Sequence, residues 1–360
     1  MPASIPLISS AAAVTPEWLS LALTQGGFQN LEITGFETES IGTGQVGENV
    51  RFTLQYSSTS PPGPTSLVLK LPSENPVSRA TAVAQGIYSR EVHFYTELAQ
   101  SLNIRTPQCW HADLSEAGDQ FILVFEDMAP SEQGDQIIGC TPNQARLAMA
   151  EAARLHAPRW NDPKLTQLSW LPNPGPESAG VLKMLYQSVV PGFESRFESR
   201  VSPEVIALAH RFGEKIGQWA EFSEGPRSVV HGDYRLDNML FGNAPHHVPL
   251  AVVDWQTCAL GHPASDVAYF IGAGLLPEKR REEEMSLLAH YLEVLNQQGI
   301  TSYSMDELVK DYRRFSFSGL IMAIIASQIV EVSERGDAMF AVMAERHTHQ
   351  ILDHDAESIF

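Results

Sequence analysis

One stretch of the chain, Val229 to Tyr269, constrains the possible fold more than any other. It reads VVHGDYRLDNMLFGNAPHHVPLAVVDWQTCALGHPASDVAY and holds two short apolar runs at residues 239–241 and 250–253. These runs predict a buried hairpin with polar residues beside each strand. Asp233 and Asn238 precede the first run, and Asp254 follows the second. Because a tight loop and a hairpin return the chain to its starting point, we expect these three side chains to converge.

Two carboxylates and an amide in this order suit metal-dependent phosphoryl transfer. That reaction needs a carboxylate to accept the proton of an attacking hydroxyl, and oxygen ligands for the magnesium ion on the nucleotide phosphates. Asp233 is then the base, and Asn238 and Asp254 are the Mg²⁺ ligands. For any one of these elements alone, a helix-capping aspartate or an aspartate that merely ends a strand is the alternative.

The full order of motifs extends beyond this trio. HGD-x4-N is followed by an apolar run with Asp-Trp, and then by Gly261-x-Pro263-x-x-Asp266-x-Ala268. This order resembles the phosphotransferase superfamily of aminoglycoside phosphotransferases, choline kinases and ecdysteroid-kinase-like enzymes, relatives of the protein kinases. The resemblance implies ATP, with GTP possible, as phosphate donor and a small-molecule alcohol as acceptor. It also implies that Asp266 supports the loop, as we expect of His231.

The same resemblance implies an α+β, two-lobed protein-kinase-like fold. The small N-terminal lobe, residues 1–128, would have an antiparallel sheet and a helix and bind nucleotide. The larger, mostly helical C-terminal lobe, residues 129–360, would carry catalysis and the acceptor. At the link between the lobes, after an apolar strand at 121–125, backbone groups from Glu126 to Met128 are expected to bind adenine.

Composition narrows the partners. A formal net charge of -19 argues against nucleic acid and anionic membranes, which basic surfaces bind. The cysteines, Cys109, Cys140 and Cys258, have no pairing or zinc spacing, so reduced thiols in a cytoplasmic protein are expected. The longest apolar run, residues 319–330, is too short to span a bilayer. No Lys or Arg precedes Arg51, which argues against a secretory signal.

A glycine-rich segment, Gly42-x-Gly44-x-x-Gly47, lies between two predicted strands at 31–39 and 50–56. A dinucleotide-binding fingerprint needs a helix directly after the glycines, and here a strand follows. The order strand, glycines, strand favours a flap whose bare backbone amides close over phosphates. A plain glycine turn is the alternative.

Lys70 lies inside the apolar run 67–71, where an unpaired ammonium would be costly. The resemblance implies that Lys70 contacts the nucleotide α- and β-phosphates and pairs with Glu91, on a helix expected over residues 79–98. Glu97 competes for that pairing. An edge-strand lysine that reaches solvent, and a solvated helix glutamate, are the alternatives.

In the second lobe, a helix is predicted from Pro142 to His156, and His156 is expected to be packed rather than catalytic. A capping box, Ser304 with Glu307, is expected to begin a helix that carries residues 308–330. Residues 158–197 are predicted to be irregular, and they are rich in aromatic side chains. Related enzymes imply that this region builds an aromatic, partly apolar wall of the acceptor pocket, and aromatic anchors of surface loops are the alternative.

Two other functions compete with a small-molecule kinase. A protein kinase fits poorly, because the loop reads HGD instead of HRD, Trp255 follows the metal aspartate, and no APE-ended activation segment is found. A non-catalytic nucleotide-binding protein on the same fold is the other alternative. Such proteins usually lose at least one of the residues expected to act on the nucleotide and acceptor, which here are Lys70, Glu91, Asp233, Asn238 and Asp254. The acidic composition favours a cationic acceptor, whereas the aromatic residues favour a bulkier hydrophobic alcohol.

Overall fold

The computed structural model describes residues 5–42, 47–244 and 247–360. It divides into two compact units. The first comprises Met1–Ser101, Thr106–Pro130 and Val253–Thr257, and the second comprises Leu102–Arg105, Ser131–Val252 and Cys258–Phe360. The predicted boundary between residues 128 and 129, and the assignment of nucleotide and acceptor to separate lobes, stay predictions.

The first unit is built on a five-stranded antiparallel sheet in the order β1-β2-β3-β5-β4. Its strands are β1 (Ile33–Ile41), β2 (Gly47–Tyr56), β3 (Ser66–Pro72), β4 (Cys109–Leu114) and β5 (Phe121–Glu126). Lys70, on β3, pairs in register with Asn49 on β2 and Leu123 on β5. Lys70 is thus on the central strand, which rules out the edge-strand alternative.

Three helices accompany this sheet: α1 (Pro16–Gln25), α2 (Pro76–Ala84) and α3 (Ile87–His93). The N-terminus of α1 is capped by Thr15, whose side chain accepts from the Trp18 amide. The single helix predicted over residues 79–98 is wrong. Gly86 interrupts it with a left-handed φ of 65°, so α2 and α3 are separate helices, and a π-helical turn, Phe94–Leu98, follows α3.

The second unit is mostly helical. It contains α4 (Pro142–His156), α5 (Ala179–Phe197), α6 (Pro203–Ala220), α7 (Ala264–Gly274), α8 (Pro277–Gln297), α9 (Met305–Phe315), α10 (Phe317–Ile329) and α11 (Glu334–Asp353). The predicted capping box is present, because Ser304 and Glu307 hydrogen bond reciprocally at the start of α9. The continuous helix expected over 308–330 is instead α9 and α10. They are separated at Ser316, whose hydroxyl donates to the Arg313 carbonyl.

Helix α5 corrects the expectation of an irregular 158–197 region. Its buried residues Tyr186, Val190, Phe193 and Phe197 follow a helical spacing, and Pro191 lies inside the helix. Tyr186, Phe193 and Phe197 are fully buried in the hydrophobic core of the second unit. These three aromatics therefore stabilise the core and do not line an acceptor pocket.

Short strands flank the loop that contains Asp233 and Asn238. Strand β7 (Ser228–Val230) pairs with β10 (Ala259–Gly261), and β6 (Glu132–Gln133), β8 (Met239–Phe241) and β9 (Leu250–Val252) form a second small sheet. The predicted hairpin is confirmed, with Met239 opposite Val252 in antiparallel register. Residues 231–238 therefore form the loop between β7 and β8.

Within the described ranges, no helix combines the length and the apolar character needed to cross a membrane. Within the same ranges, Cys109, Cys140 and Cys258 form no disulfide.

Candidate active site

In the first unit, three charged side chains form one buried cluster. Lys70 Nζ lies 2.8 Å from the Glu91 carboxylate and 2.9 Å from Asp254 Oδ1. The side chains of Lys70 and Glu91 are 10% and 2% exposed. Burial disfavours the ammonium, but the charges of Asp254 and Glu91 outweigh it and raise the pKa of Lys70. Lys70 is therefore shared by two carboxylates.

Helix α3, which carries Glu91, and the π-helical turn after it contact the segment that carries Asp254. The Arg90 guanidinium donates to the Gln256 carbonyl at 2.6 Å, and the Phe94 ring stacks on Trp255 with centroids 3.9 Å apart. Asp254 itself has a left-handed φ of 69°. Such a conformation is uncommon for a residue other than glycine and is concentrated at functional sites.

The structure also decides between Glu91 and Glu97. The Glu97 side chain is 43% exposed and lies 3.9 Å from His93, on the same helical segment. Glu91, at 2% exposure, holds the ammonium of Lys70. The role of this ion pair in binding nucleotide phosphates stays a prediction.

The glycine-rich segment is partly described. Gly42 has a left-handed φ of 74°, which a side chain would strain. At Gly47, the first residue of β2, a Cβ atom would lie 3.1 Å from the Leu71 carbonyl and 3.5 Å from Lys70 Cε. Gly47 therefore lets β2 pass close to the Lys70 side chain. Gly44 lies outside the described residues, so the predicted phosphate flap stays a prediction.

The link after β5 is tied to the sheet through Asp127. Its carboxylate accepts from Arg51 Nε and from the Ser66 hydroxyl, both at 2.7 Å. Glu126 ends β5, and its amide donates to the Gln108 carbonyl. Met128, one residue past this anchor, is partly buried. The adenine contacts expected from Glu126 to Met128 stay a prediction.

In the second unit, Asp266 on α7 anchors the loop after β7. Its carboxylate accepts from the amides of His231 and Gly232 at 2.7 and 3.0 Å, and His156 Nε2 lies 3.3 Å from it. Asp266 is 1% exposed. Buried carboxylates need such partners, because an unpaired buried charge is costly. His156 is fully buried against Tyr291 and Asp266, as expected for a packed histidine.

Four side-chain contacts surround the carboxylate of Asp233. Arg235 Nε donates to both oxygens, at 3.0 and 2.9 Å. The Tyr269 hydroxyl donates to Oδ1 at 2.8 Å, and Asn238 Nδ2 donates to Oδ2 at 2.9 Å. These contacts come from three side chains, and the Asp233 side chain stays 17% exposed. Its orientation is therefore well defined by its neighbours.

Asn238 is oriented in a way that suits a metal ligand. Its Nδ2 donates to both the backbone carbonyl and the carboxylate of Asp233, each at 2.9 Å. The two amide hydrogens are thus directed at Asp233, and Oδ1 is the group presented to any other partner. Carbonyl and carboxylate oxygens are the protein ligands that Mg²⁺ prefers.

A magnesium site of the expected kind would have few protein ligands. The described part of the chain contains no group of three or more His, Cys, Asp or Glu side chains that could hold a metal ion. A nucleotide-bound Mg²⁺ takes most of its ligands from phosphates and water, with one or two from protein side chains. Asn238 Oδ1 and the Asp254 carboxylate are chemically suited to this role, and their binding of Mg²⁺ stays a prediction.

Sequence reasoning missed two of the residues around Asp233. Arg235 lies against Asp233 and also donates to Asp237 at 2.7 Å, and nothing in the loop sequence indicates these contacts. Tyr269 directly follows the motif that ends at Ala268 and is not part of it. One signal was available for Tyr269: it follows Asp266 by three residues on α7, so both project from one face of that helix.

A buried histidine packs behind Tyr269 and makes stability depend on pH. The rings of His347 and Tyr269 stack with centroids 5.6 Å apart, and burial lowers the pKa of His347 to about 4. Below pH 6.5 the His347 side chain binds a proton in the unfolded chain, but in the folded protein it stays neutral until the pH approaches 4. The free energy of unfolding is therefore expected to fall by about 1.4 kcal/mol per pH unit as pH decreases toward 4.

The variant H347Q lacks this titration. Urea unfolding of wild type and H347Q at pH 7, 5.5 and 4.5 checks the expectation, with the difference between the two proteins as the readout. The wild type should lose more stability than H347Q over this range. Parallel pH dependences would contradict the prediction.

The chain is similar in sequence to a known family of enzymes. Residues 48–303 match the model of the phosphotransferase enzyme family, abbreviated APH, so the chain belongs to that family. It is 33% identical over 86 residues to human acyl-CoA dehydrogenase family member 11. That match covers 22% of this chain and only 11% of the human protein.

Solved structures show the same fold at low sequence identity. The choline kinase from Cryptosporidium parvum aligns with a TM-score of 0.56 at 12% identity, covering 90% of each chain. The GDP complex of aminoglycoside 2'-phosphotransferase-IIIa aligns with a TM-score of 0.52 at 13% identity, covering 93% of this chain and 98% of that one. The predicted α+β, kinase-like fold and the suspected superfamily are confirmed.

Proposed function

We propose that this protein is an ATP-dependent O-phosphotransferase that moves the γ-phosphate to a hydroxyl of a small molecule. Membership of the phosphotransferase family carries the proposal. The buried Lys70 ammonium and the Asp233 carboxylate, which Tyr269 helps to orient, support it, since phosphoryl transfer needs a charge-stabilising cation and a base. Because transfer depends on positioning and charge stabilisation, ordered and buried side chains are the appropriate equipment.

In the proposed reaction the acceptor oxygen attacks the γ-phosphorus, and the bond from that phosphorus to the β–γ bridging oxygen breaks. Asp233 takes the hydroxyl proton, and ADP leaves with the electrons of the broken bond. The Lys70 ammonium, held by Glu91, offsets charge on the nucleotide phosphates. Asn238 and Asp254 would hold Mg²⁺, which would supply positive charge to neutralise the nucleotide phosphates.

Three classes of alcohol are candidates for the acceptor. The solved relatives include a choline kinase and an aminoglycoside phosphotransferase, which favour cationic alcohols. The human relative is named as an acyl-CoA dehydrogenase family member, which favours a hydroxyl on an acyl compound. The sequence itself allowed a bulkier hydrophobic alcohol. A screening panel should therefore contain cationic, neutral hydrophobic and hydroxyacyl members.

Nucleotide binding is the first experimental test. We expect MgATP at a hundredfold its dissociation constant to raise the free energy of unfolding by about 2.7 kcal/mol, and therefore the melting temperature. ATP with EDTA should give a smaller shift, because Asn238 and Asp254 then lose the ion they are proposed to hold. Thermal melts with ATP, GTP and no nucleotide measure this. The absence of any shift would contradict nucleotide binding.

Turnover is the second test. ATP consumption is measured with the alcohol panel and with water alone, and transfer to an alcohol is confirmed by detecting the phosphorylated product. We expect at least one acceptor class to raise consumption above the water rate. Binding of MgATP with no turnover on any member would instead support the non-catalytic alternative.

A further inference from the structure

Helix α7 contacts three successive residues of the β7–β8 loop from one face. The Asp266 carboxylate accepts hydrogen bonds from the backbone amides of His231 and Gly232. The Tyr269 hydroxyl donates a hydrogen bond to the Asp233 carboxylate. The spacing of three residues places Asp266 and Tyr269 on neighbouring positions of the helix surface. The same rigid element therefore orients the loop backbone and the side chain that the proposed reaction uses as its base.

The other partners of Asp233 come from the loop itself. Arg235 and Asn238 lie two and five residues beyond Asp233, within the same loop. Tyr269 lies 36 residues away in sequence and belongs to a helix. In the described part of the chain, the Tyr269 hydroxyl is the contact of this carboxylate that comes from an element outside the loop.

Tyr269 is itself held firmly. It is 4% exposed, and its ring stacks on that of the fully buried His347. His347 in turn lies against Gly319, where a Cβ atom would fall 1.8 Å from Nε2. A buried side chain has already lost most of its rotamer freedom, so the hydrogen bond of its hydroxyl costs little further entropy. Burial and the charge of Asp233 raise the pKa of Tyr269, so its hydroxyl keeps the proton that it donates.

We propose that Tyr269 is a positioning residue that fixes the rotation of the Asp233 carboxylate toward the acceptor hydroxyl. This inference rests on the proposed function, in which Asp233 is the base. Arg235 and Asn238 bind the carboxylate from within the loop, and the Tyr269 hydroxyl fixes its orientation relative to α7. Loss of the Tyr269 hydroxyl leaves Oδ1 with the shared Arg235 contact and lets the carboxylate rotate.

The variant Y269F tests this, because it removes the hydroxyl and keeps the ring. We expect kcat to fall about tenfold, with KM for ATP and for the acceptor changed less than about twofold, since positioning acts in the transition state. Y303F is the matched control: Tyr303 is also buried and donates to a carboxylate, Asp311 Oδ2, at 2.8 Å. Y303F should leave kcat unchanged.

A double-mutant cycle separates positioning from a structural role. Turnover is measured with the panel alcohol that gives product and with water, in the wild-type and D233N backgrounds. Y269F should lose its effect on kcat in the D233N background, because no base remains to be positioned. An unchanged kcat in Y269F, or the same fold loss in both backgrounds, would overturn the inference. Unchanged turnover in D233N alone would instead refute the proposed base.

Discussion

Replacement of Asp233 with asparagine is expected to lower kcat by about two to four orders of magnitude while nucleotide still binds. Asparagine keeps the size of the side chain and one oxygen that can accept from Tyr269 or Arg235. It cannot take the proton of the acceptor hydroxyl at neutral pH. The loss should therefore lie in the chemical step.

Two measurements isolate that step. The MgATP-induced rise in melting temperature should persist in D233N, since the Lys70 cluster of the first unit is intact. D353N is the matched control, because Asp353 is likewise a carboxylate paired with arginine, with Arg281 Nε at 2.7 Å, and belongs to the second unit. D353N should keep kcat within about twofold of wild type. If turnover in D233N equals that of wild type, Asp233 is not the base.

The sequence predicted best the features that short segments determine by themselves. The β8–β9 hairpin follows from apolar runs of strand length, and α4 and α9 follow from their capping residues. The pairing of Lys70 with Glu91 came from family resemblance instead, since nothing within either segment specifies a partner 21 residues away.

Features that depend on tertiary packing were beyond sequence reasoning. Arg235 contacts Asp233 because the loop backbone turns between them, and its alternative, a solvated side chain, has the same sequence pattern. The contact between Lys70 and Asp254 spans 184 residues. Helix α5 is hard to predict because it contains Pro191, which usually ends a helix. A helix can accommodate one proline when tertiary packing compensates for the lost hydrogen bond.

Replacement of Lys70 with methionine is expected to have two effects of different origin. Glu91 and Asp254 would be left as facing carboxylates without their shared ammonium. Removing one member of a buried ion pair costs about 3–5 kcal/mol, because the remaining charge stays uncompensated. K70M should therefore lose unfolding free energy of that order, and it should also lose turnover, since the proposed phosphate contact is gone.

The double variant K70M/E91Q separates the two effects. Glutamine at position 91 removes the uncompensated buried charge, so part of the lost stability should return, as measured by urea unfolding. Turnover should not return, because an ammonium is still missing. E91Q alone keeps the Lys70–Asp254 contact and should retain more turnover than K70M. Recovery of turnover together with stability in K70M/E91Q would mean that Lys70 serves the fold of the first unit and not the nucleotide phosphates.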